Sequence, residues 1–306
     1  MGPVYKFGID APQGLLAGAV CAFGVFDGVH RGHMFLLEKA REQAAAEGRP
    51  FIALTFDIDP DERFHPDRLQ KLMSNEARIA ALSEIADTVC VLPFTPEFGS
   101  LEPEAFLDAT FLEATPAAIH VGVDLRFGSR AAGTVADMAR WGQSHGMQAV
   151  SHELLLVEGE PITATRIRLL LESGIIHEAN ELLGHRYALE GTVQHGRGAG
   201  ADMGFRTANI VVPDMQRVLG EGVYAAYAHV GGACYKAAVN VGVAATFADS
   251  ATATVEAHLL DFQGDLYGTE ISLEFTDWLR SMRKFDDIDE LVATVMSNID
   301  WVRRHL

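Results

Sequence analysis

The spacing of hydrophobic and polar residues divides the chain into two parts of different character. As far as about Gly184, short apolar runs alternate with segments whose apolar residues recur at helical spacing, which predicts parallel strands joined by helices. The predicted strands are 19–25, 51–56, 88–92, 118–123 and 149–157, and the predicted helices are 32–46, 78–85, 134–145, 166–173 and 176–183. We therefore expect an α/β domain with a doubly wound sheet, which binds ligands beyond the carboxyl ends of its strands.

After Gly184 the predicted strands follow one another with no helix between them. They span 191–195, 208–212, 222–230, 235–241, 254–262 and 270–275 and are separated by Gly, Asp and Pro. Short consecutive strands with such turn residues are typical of a small antiparallel barrel. The stretch 285–304 is predicted to close the chain as a helix, with acidic residues at its start and arginines at its end, as the helix dipole favours. We predict two domains, 1–183 and 184–306.

The net charge, the cysteines and the apolar runs of the chain bear on its binding partners and its compartment. The chain has 306 residues with 24 Lys and Arg against 42 Asp and Glu, a net charge of -18 that argues against coating of a nucleic acid duplex. Three scattered cysteines (Cys21, Cys90 and Cys234) indicate neither a disulfide framework nor a metal site and favour a reducing compartment. The apolar run 14–26 is too short to span a bilayer. We expect a cytoplasmic protein without nucleic acid or membrane partners, and its oligomeric state stays open.

Two histidines mark the first candidate site. The segment 24–33, GVFDGVHRGH, carries His30 and His33 where the first of these strands gives way to a helix. A helix N-terminus has unpaired backbone N–H groups and a partial positive charge, so it binds phosphate readily. Imidazoles three residues apart can donate hydrogen bonds to polyphosphate oxygens, and Gly32 leaves the space between them open. In isolation the pair would read equally well as surface histidines at a helix cap.

The segment 24–33 resembles the HxGH signature of the prokaryotic bifunctional riboflavin kinase/FMN adenylyltransferases, or FAD synthetases. Two later segments, VGVDLRFG at 121–128 and ITATRIR at 162–168, resemble further nucleotide motifs of that family, and NELLG follows at 180–184. The family's kinase motifs recur in order as GFRTAN at 204–209, GVYA at 222–225, NVG at 240–242, VEAHLLDF at 255–262, GDLYG at 264–268 and KF at 284–285. The resemblance covers nearly the whole chain.

The resemblance implies a Rossmann-like nucleotidyltransferase domain followed by a riboflavin-kinase-like barrel with a terminal helix. The barrel would phosphorylate riboflavin with ATP and Mg²⁺, and the first domain would transfer AMP from ATP to FMN, which yields FAD and pyrophosphate. The catalytic residues would be His30, His33, Arg166 and Glu256, the last as the base for the ribityl hydroxyl. Thr207 and Asn209 would lie near Mg²⁺. Nucleotide contacts would come from Gly24, Phe26, Asp27, Gly32, Asp124, Thr165, Gly196, Gly198 and Gly204.

The chain departs from the family pattern at several positions. Ala199 and Ala201 stand where the family usually has arginines, and Arg206 replaces a proline. Lost cations weaken the stabilisation of a transferring phosphoryl group, unless Arg206 or the nearby Arg197 compensates. Without the resemblance, Glu256 would be an ordinary strand residue.

The first domain also departs from the pattern. Asp59 replaces a histidine that precedes a proline, and Ala164 replaces a serine in the third motif. An acid near a flavin phosphate is unfavourable unless a cation lies beside it. Three alternatives therefore stay open: an active adenylyltransferase with a degenerate, flavin-binding barrel, a paralogue that uses another acceptor or CTP, and a flavin sensor without catalysis. The intact HxGH segment argues against the sensor.

Overall fold

Contacts divide the chain into two compact units. The computed structural model describes residues 1–64, 70–195, 206–243 and 253–306. The first unit is Met1–Leu69 with Ser74–Thr163, and the second is Gln70–Met73 with Ala164–Leu306. Residues 164–183 thus cluster with the second unit, and the boundary at 183/184 stays a prediction.

The first unit is an α/β sheet with helices. Its strands are β1 (Val4–Lys6), β2 (Val20–Phe23), β3 (Phe51–Phe56), β4 (Thr88–Leu92), β5 (Ala118–Gly122), β6 (Arg126–Phe127), β7 (Gly133–Thr134), β8 (Gln148–His152), β9 (Leu156–Val157) and β10 (Glu160–Pro161). Its helices are α1 (Arg31–Glu47), α2 (Pro60–Phe64), α3 (Asn75–Ile85), α4 (Pro96–Gly99), α5 (Pro103–Phe111) and α6 (Val135–His145). The predicted α/β fold is confirmed.

The order of the main sheet places the candidate site. Six parallel strands follow the order β1-β4-β3-β2-β5-β8. From β2 the chain proceeds through β3 to β4 on one side and then returns to place β5 on the other side of β2. The gap between the carboxyl ends of β2 and β5 is therefore a topological switch point, where doubly wound sheets bind ligands. Every residue of β2 and β3 is buried, as expected for strands covered on both faces.

One predicted strand is wrong. The stretch 149–157 is not continuous: β8 ends at His152, and β9 pairs instead with β10 in a hairpin. Its two turn residues, Glu158 and Gly159, have φ of 57° and 82°. Two left-handed residues match the twist of a tight hairpin, so β9 pairs with β10 instead of continuing β8.

The second unit consists of a barrel and three helices in the described ranges. Its helices are α7 (Ala164–Glu172), α8 (Ile176–Leu183) and α9 (Ile288–His305). Its strands are β11 (Ala188–Gln194), β12 (Ala208–Val211), β13 (Gly222–Val230), β14 (Ala233–Val243), β15 (Ala253–Leu259) and β16 (Glu270–Arg280). They close in the order β11-β12-β15-β14-β13-β16 with antiparallel neighbours. The predicted barrel and terminal helix are confirmed.

The terminal helix begins later than the sequence pattern suggests. The Asp287 side chain accepts a hydrogen bond from the backbone N–H of Asp289, so α9 begins at Ile288 rather than at 285. Ile299 and Val302 of this helix pack with Ala225 and Leu260 of the barrel. Within the described residues, none of the helices combines the length and the apolar character needed to cross a membrane.

A pair of histidines, of which His120 is buried and His152 partly buried, joins β5, β8 and α1. His120 is 3% exposed, and its Nδ1 lies 2.8 Å from Nε2 of His152. Its Nε2 lies 2.7 Å from Oε1 of Gln43, whose amide group donates to Glu47. Burial, together with His152, lowers the pKa of His120 to about 4. His120 is therefore neutral in the folded protein at neutral pH.

We expect the first unit to lose stability as the pH falls from about 6.5 to about 4. The unfolded chain protonates His120 near its ordinary pKa of 6.5, whereas the folded chain resists protonation until pH 4, so acid favours unfolding in this window. The loss attributable to His120 is at most about 3 kcal/mol. Urea unfolding of the wild type and His120→Gln between pH 7 and 4.5 should show a shallower pH dependence in the variant. The control is His145→Gln at an exposed site, which should keep the wild-type pH dependence of the free energy of unfolding. The same wild-type dependence in His120→Gln would show that His120 does not cause the loss of stability.

Candidate active sites

The turn that follows β2 is strained. Phe26, Gly28 and Val29 have φ of 59°, 77° and 37°, in the left-handed region. Phe26 and Val29 have side chains with Cβ atoms, so each costs on the order of 1–3 kcal/mol in this conformation. A strained turn persists only where its surroundings fix it, and such turns concentrate at functional sites.

His30 and His33 are brought together at the start of α1. His30 caps the helix, because its Nδ1 accepts a hydrogen bond of 3.3 Å from the backbone N–H of His33. The two rings are stacked, with centroids 3.6 Å apart. A Cβ atom on Gly32 would lie 3.1 Å from the His30 ring and 3.4 Å from the carbonyl oxygen of Ile162. Gly32 thus permits close packing of the first motif against the start of the third.

The stacked rings favour an uncharged state. Burial, assisted by His30 and Arg78, holds the pKa of His33 well below its ordinary value of 6.5. Nδ1 of His33 is buried and has no hydrogen-bond partner among the described residues. The Phe26 ring packs edge-on against His33, with centroids 5.3 Å apart. The site therefore presents neutral imidazoles, whose N–H groups can donate to an anion without carrying charge themselves.

Three charged side chains are buried in or near the turn that follows β2. They are Asp27, within the turn, and Asp59 and Arg78, and they are 6%, 8% and 2% exposed. Burial lowers the pKa of the Arg78 guanidinium, and Asp59 and Asp27 are the carboxylates that oppose this most strongly. Sequence reasoning missed Arg78. Its signal was a charged residue four positions before Leu82, on the buried face of α3.

Asp59 has a local structural role in addition to its charge. Its Oδ1 accepts a hydrogen bond of 2.9 Å from the backbone N–H of Asp61, and its own N–H donates to Glu62. These contacts order the start of α2. From the sequence, an acid at position 59 is favourable only with a cation beside it. Arg78 is that cation, because the charge of Asp59 opposes the lowering of its guanidinium pKa by burial.

Asp124 follows β5 at the other side of the switch point. It is exposed, and its Oδ1 lies 2.7 Å from the position a Cβ atom would occupy on Gly122. A side chain at 122 would therefore move the Asp124 carboxylate out of this position. Gly24 has a related role beside β2, because a Cβ atom there would lie 3.3 Å from the Phe26 ring.

Thr165 and Arg166 lie in the first turn of α7, within the second unit. Thr165 is exposed and Arg166 is partly buried. Ala164, which replaces a family serine, is the first residue of the same helix. The participation of Thr165 and Arg166 in phosphate binding stays a prediction.

The barrel brings the predicted kinase residues into one row. Glu256 on β15 lies opposite Asn209 on β12 and opposite Asn240 on β14. Their strand neighbours are buried in the barrel interior, and these three side chains are partly buried on the other face. Oδ1 of Asn240 is buried without a hydrogen-bond partner in the described part of the chain. Sequence reasoning quoted NVG at 240–242 but gave Asn240 no role.

A cavity of about 780 Å³ is lined by Ala208 and Ala257, the strand neighbours of Asn209 and Glu256, and not by the residues of the row themselves. Arg206, Thr207 and His258 contribute polar side chains to its lining, and Phe262, Leu266 and Tyr267 contribute apolar surface. Nδ1 of His258 lies 2.8 Å from the carbonyl oxygen of Arg206, which fixes the chain just before β12. The predicted Gly196, Gly198 and Gly204, together with Arg197, Ala199 and Ala201, lie outside the described residues.

Comparison with known proteins agrees with this architecture. The family model described as FAD synthetase matches residues 13–166, and the model described as riboflavin kinase matches residues 183–306. A solved structure named as a macrolide-efflux protein from Streptococcus pneumoniae superposes with a TM-score of 0.85 at 28% identity and covers 99% of both chains.

Among the relatives of the chain are three proteins named bifunctional riboflavin kinase/FMN adenylyltransferase. The relative from Listeria monocytogenes is 31% identical, covering 90% of this chain and 88% of its own. Those from Bacillus subtilis and Escherichia coli K12 are each 32% identical, covering 91% and 94% of this chain and 90% and 91% of theirs. The chain therefore belongs to the family of bifunctional riboflavin kinase/FMN adenylyltransferases, transferases that make FAD from riboflavin.

Proposed function

We propose that the first unit carries out adenylyl transfer to FMN through His30 and His33, and that the barrel phosphorylates riboflavin with Glu256 as the base. The proposal for the first unit rests on one observation above all. Two stacked imidazoles lie at the N-terminus of α1, where the sheet has its switch point, and the pKa of His33 is held well below its ordinary value by desolvation.

Adenylyl transfer needs no nucleophile from the protein. A phosphate oxygen of FMN attacks the α-phosphorus of ATP, the bond from that phosphorus to the bridging oxygen breaks, and pyrophosphate leaves. Negative charge grows on the leaving phosphates, so N–H donors there stabilise the transition state. The His30 and His33 rings, together with first-turn backbone N–H groups of α1 other than that of His33, would supply such donors.

In the barrel, Glu256 accepts the proton of the ribityl hydroxyl as the hydroxyl oxygen attacks the γ-phosphorus of ATP, and ADP leaves. The row of Asn209, Glu256 and Asn240 supports this assignment, because it places a carboxylate between two amides. Arg206 lines the adjoining cavity and supplies a cation there. That position favours an active kinase over a degenerate barrel, although the family arginines at 199 and 201 are replaced by alanine.

Mg²⁺ fits the residues of this row. Mg²⁺ prefers oxygen ligands, and it commonly takes only one or two from protein and the rest from water and phosphate. The hydroxyl of Thr207 and the amide oxygen of Asn209 would hold it, and the buried, unpartnered Oδ1 of Asn240 offers a third oxygen nearby. When bound, the ion would neutralise charge on the ATP phosphates.

We expect the wild-type protein, given ATP and Mg²⁺, to form FAD from riboflavin as well as from FMN. Separation of the flavins by chromatography measures both steps in one sample. FAD from FMN alone would show that the barrel is degenerate. Absence of FAD from both substrates would overturn the proposal and point to another acceptor or to CTP.

We expect His30→Ala and His33→Ala each to lower the rate of FAD formation from FMN by about 10²–10³-fold, because each removes a donor to the phosphates. Phosphorylation of riboflavin by the same samples should remain unchanged. His145→Ala, an exposed histidine of α6, is the matched control and should behave as the wild type. Full activity of both site variants would show that the HxGH segment does not bind the reacting phosphates.

We expect Glu256→Gln to lower riboflavin phosphorylation by about 10²–10⁴-fold, because the amide cannot accept the hydroxyl proton. Formation of FAD from FMN should be retained. Glu190→Gln on β11 removes a charge from the same barrel and serves as the control. Loss of both activities in Glu256→Gln would show that the two reactions are not separable in the way proposed.

A further inference from the structure

Arg78 is a buried cation to which neither the resemblance nor the comparisons give a role. It belongs to α3, outside the HxGH segment, and is 2% exposed. Its helix is fixed at its start by Ser74, whose side chain accepts a hydrogen bond of 3.1 Å from the backbone N–H of Ala77. A guanidinium in such surroundings is stable only when its N–H groups are satisfied and its charge is opposed.

The hydrogen bonds of Arg78 join the ends of two strands. One terminal nitrogen donates to the carbonyl oxygen of Val25 at 2.6 Å and to Oγ1 of Thr55 at 2.5 Å. The other donates to the carbonyl oxygen of Phe56 at 2.9 Å and to Oδ1 of Asn75 at 3.1 Å. Val25 follows β2 and Phe56 ends β3, so one side chain links the carboxyl ends of both strands. The Thr55 hydroxyl also reaches the Val25 carbonyl, at 3.3 Å.

The linked carbonyl immediately precedes the strained turn. Val25 is followed by Phe26, the first residue of the turn with a positive φ, and this turn leads directly to His30. Left-handed non-glycine residues persist where the surrounding structure over-determines them. The guanidinium provides such a constraint, because it ties the Val25 carbonyl, just beyond the end of β2, to the end of β3.

The charge of Arg78 has a second consequence. It faces the carboxylates of Asp59, Asp27, Glu62 and Asp57, which favour its charged form, and it lies close enough to His33 to disfavour a second positive charge there. Packing alone does not require this residue, because a buried charge is often replaceable by an apolar side chain without loss of stability. The pairing of a fixed cation with neutral imidazoles suits a site for phosphates.

We infer that Arg78 is a positioning residue for adenylyl transfer, whose guanidinium fixes the turn that presents His30 and His33 to the phosphates. This inference rests on the function proposed for the first unit. Arg78 acts through the turn and the histidines.

The test compares Arg78→Met, which keeps the length without the charge or donors, with Arg78→Lys, which keeps the charge without the planar fork. We expect Arg78→Met to lower kcat for FAD formation from FMN about 100-fold, with KM for ATP changed less than threefold, because misplaced groups lose transition-state interactions. The kcat of Arg78→Lys should be about tenfold higher than that of Arg78→Met. Phosphorylation of riboflavin should stay at the wild-type rate in both.

An NMR titration of the His33 ring provides a readout independent of activity. We expect its pKa to move upward in Arg78→Met, because a positive charge near the ring is removed, and to stay low in Arg78→Lys. A purely structural role would not separate these two variants. If Arg78→Met kept the wild-type kcat and the wild-type pKa of His33, the inference would be overturned.

A third variant covers the case in which Arg78→Met does not fold. Thr55→Val removes one hydrogen-bond partner of Arg78 with little change of shape. We expect kcat to fall 3- to 10-fold with KM unchanged, and an unchanged kcat would overturn the inference. If the wild type makes no FAD from FMN, the proposed function fails by itself, while the His33 titrations still decide whether Arg78 controls the histidine.

Discussion

The geometry of the first site depends on a backbone that leaves the sheet in a left-handed conformation. Three of the four residues from Phe26 to Val29 have positive φ, and only one of them is glycine. The free-energy cost of this turn is offset by buried contacts: the Phe26 ring beneath His33, the cap of His30 on α1 and the Arg78 guanidinium on the Val25 carbonyl. Because the histidines follow within a few residues, any relaxation of the turn would displace them.

Under the proposed function, the two units handle phosphate by different chemistry. The first offers uncharged N–H donors at a helix N-terminus, which suits a reaction whose nucleophile, the FMN phosphate, is already ionised. The barrel instead places a carboxylate between amide side chains, since its nucleophile is a hydroxyl that must lose a proton. A base beside the first site would have no proton to remove. The carboxylates that do lie there are engaged with Arg78 or with α2.

Sequence reasoning located what hydrophobic periodicity and motif spacing can encode. The strands 51–56 and 88–92 were predicted to the residue, because uninterrupted apolar runs bounded by polar residues mark buried parallel strands. The prediction of one strand over 149–157 failed because β8 ends at His152 and β9 pairs locally with β10, and hydrophobic spacing alone does not encode which partner a strand takes. The histidine pair was found through a contiguous motif.

Arg78 and Asn240 were missed for the opposite reason. Each acquires its role from residues distant in the sequence: Arg78 from strand ends more than twenty positions away, and Asn240 from its register with Glu256. In the sequence, each is only a polar residue at a position where the hydrophobic spacing predicts an apolar residue or an ordinary surface residue. That signal indicates that a partner exists without indicating which one.

The net charge of -18 limits how anionic substrates are captured. A long-range field of this sign repels ATP and FMN, so affinity must come from contacts at hydrogen-bonding distance. Arg78 contributes a positive charge at the first site while both of its terminal nitrogens donate to the protein, so under the proposed function it shapes the local potential rather than binding a phosphate directly. Neutral histidines fit the same constraint under the proposed function, in which their N–H groups would bind the phosphates through directional hydrogen bonds rather than through net charge. An acidic protein can therefore select substrates by geometry, since a phosphate gains from the site only when its oxygens meet those donors.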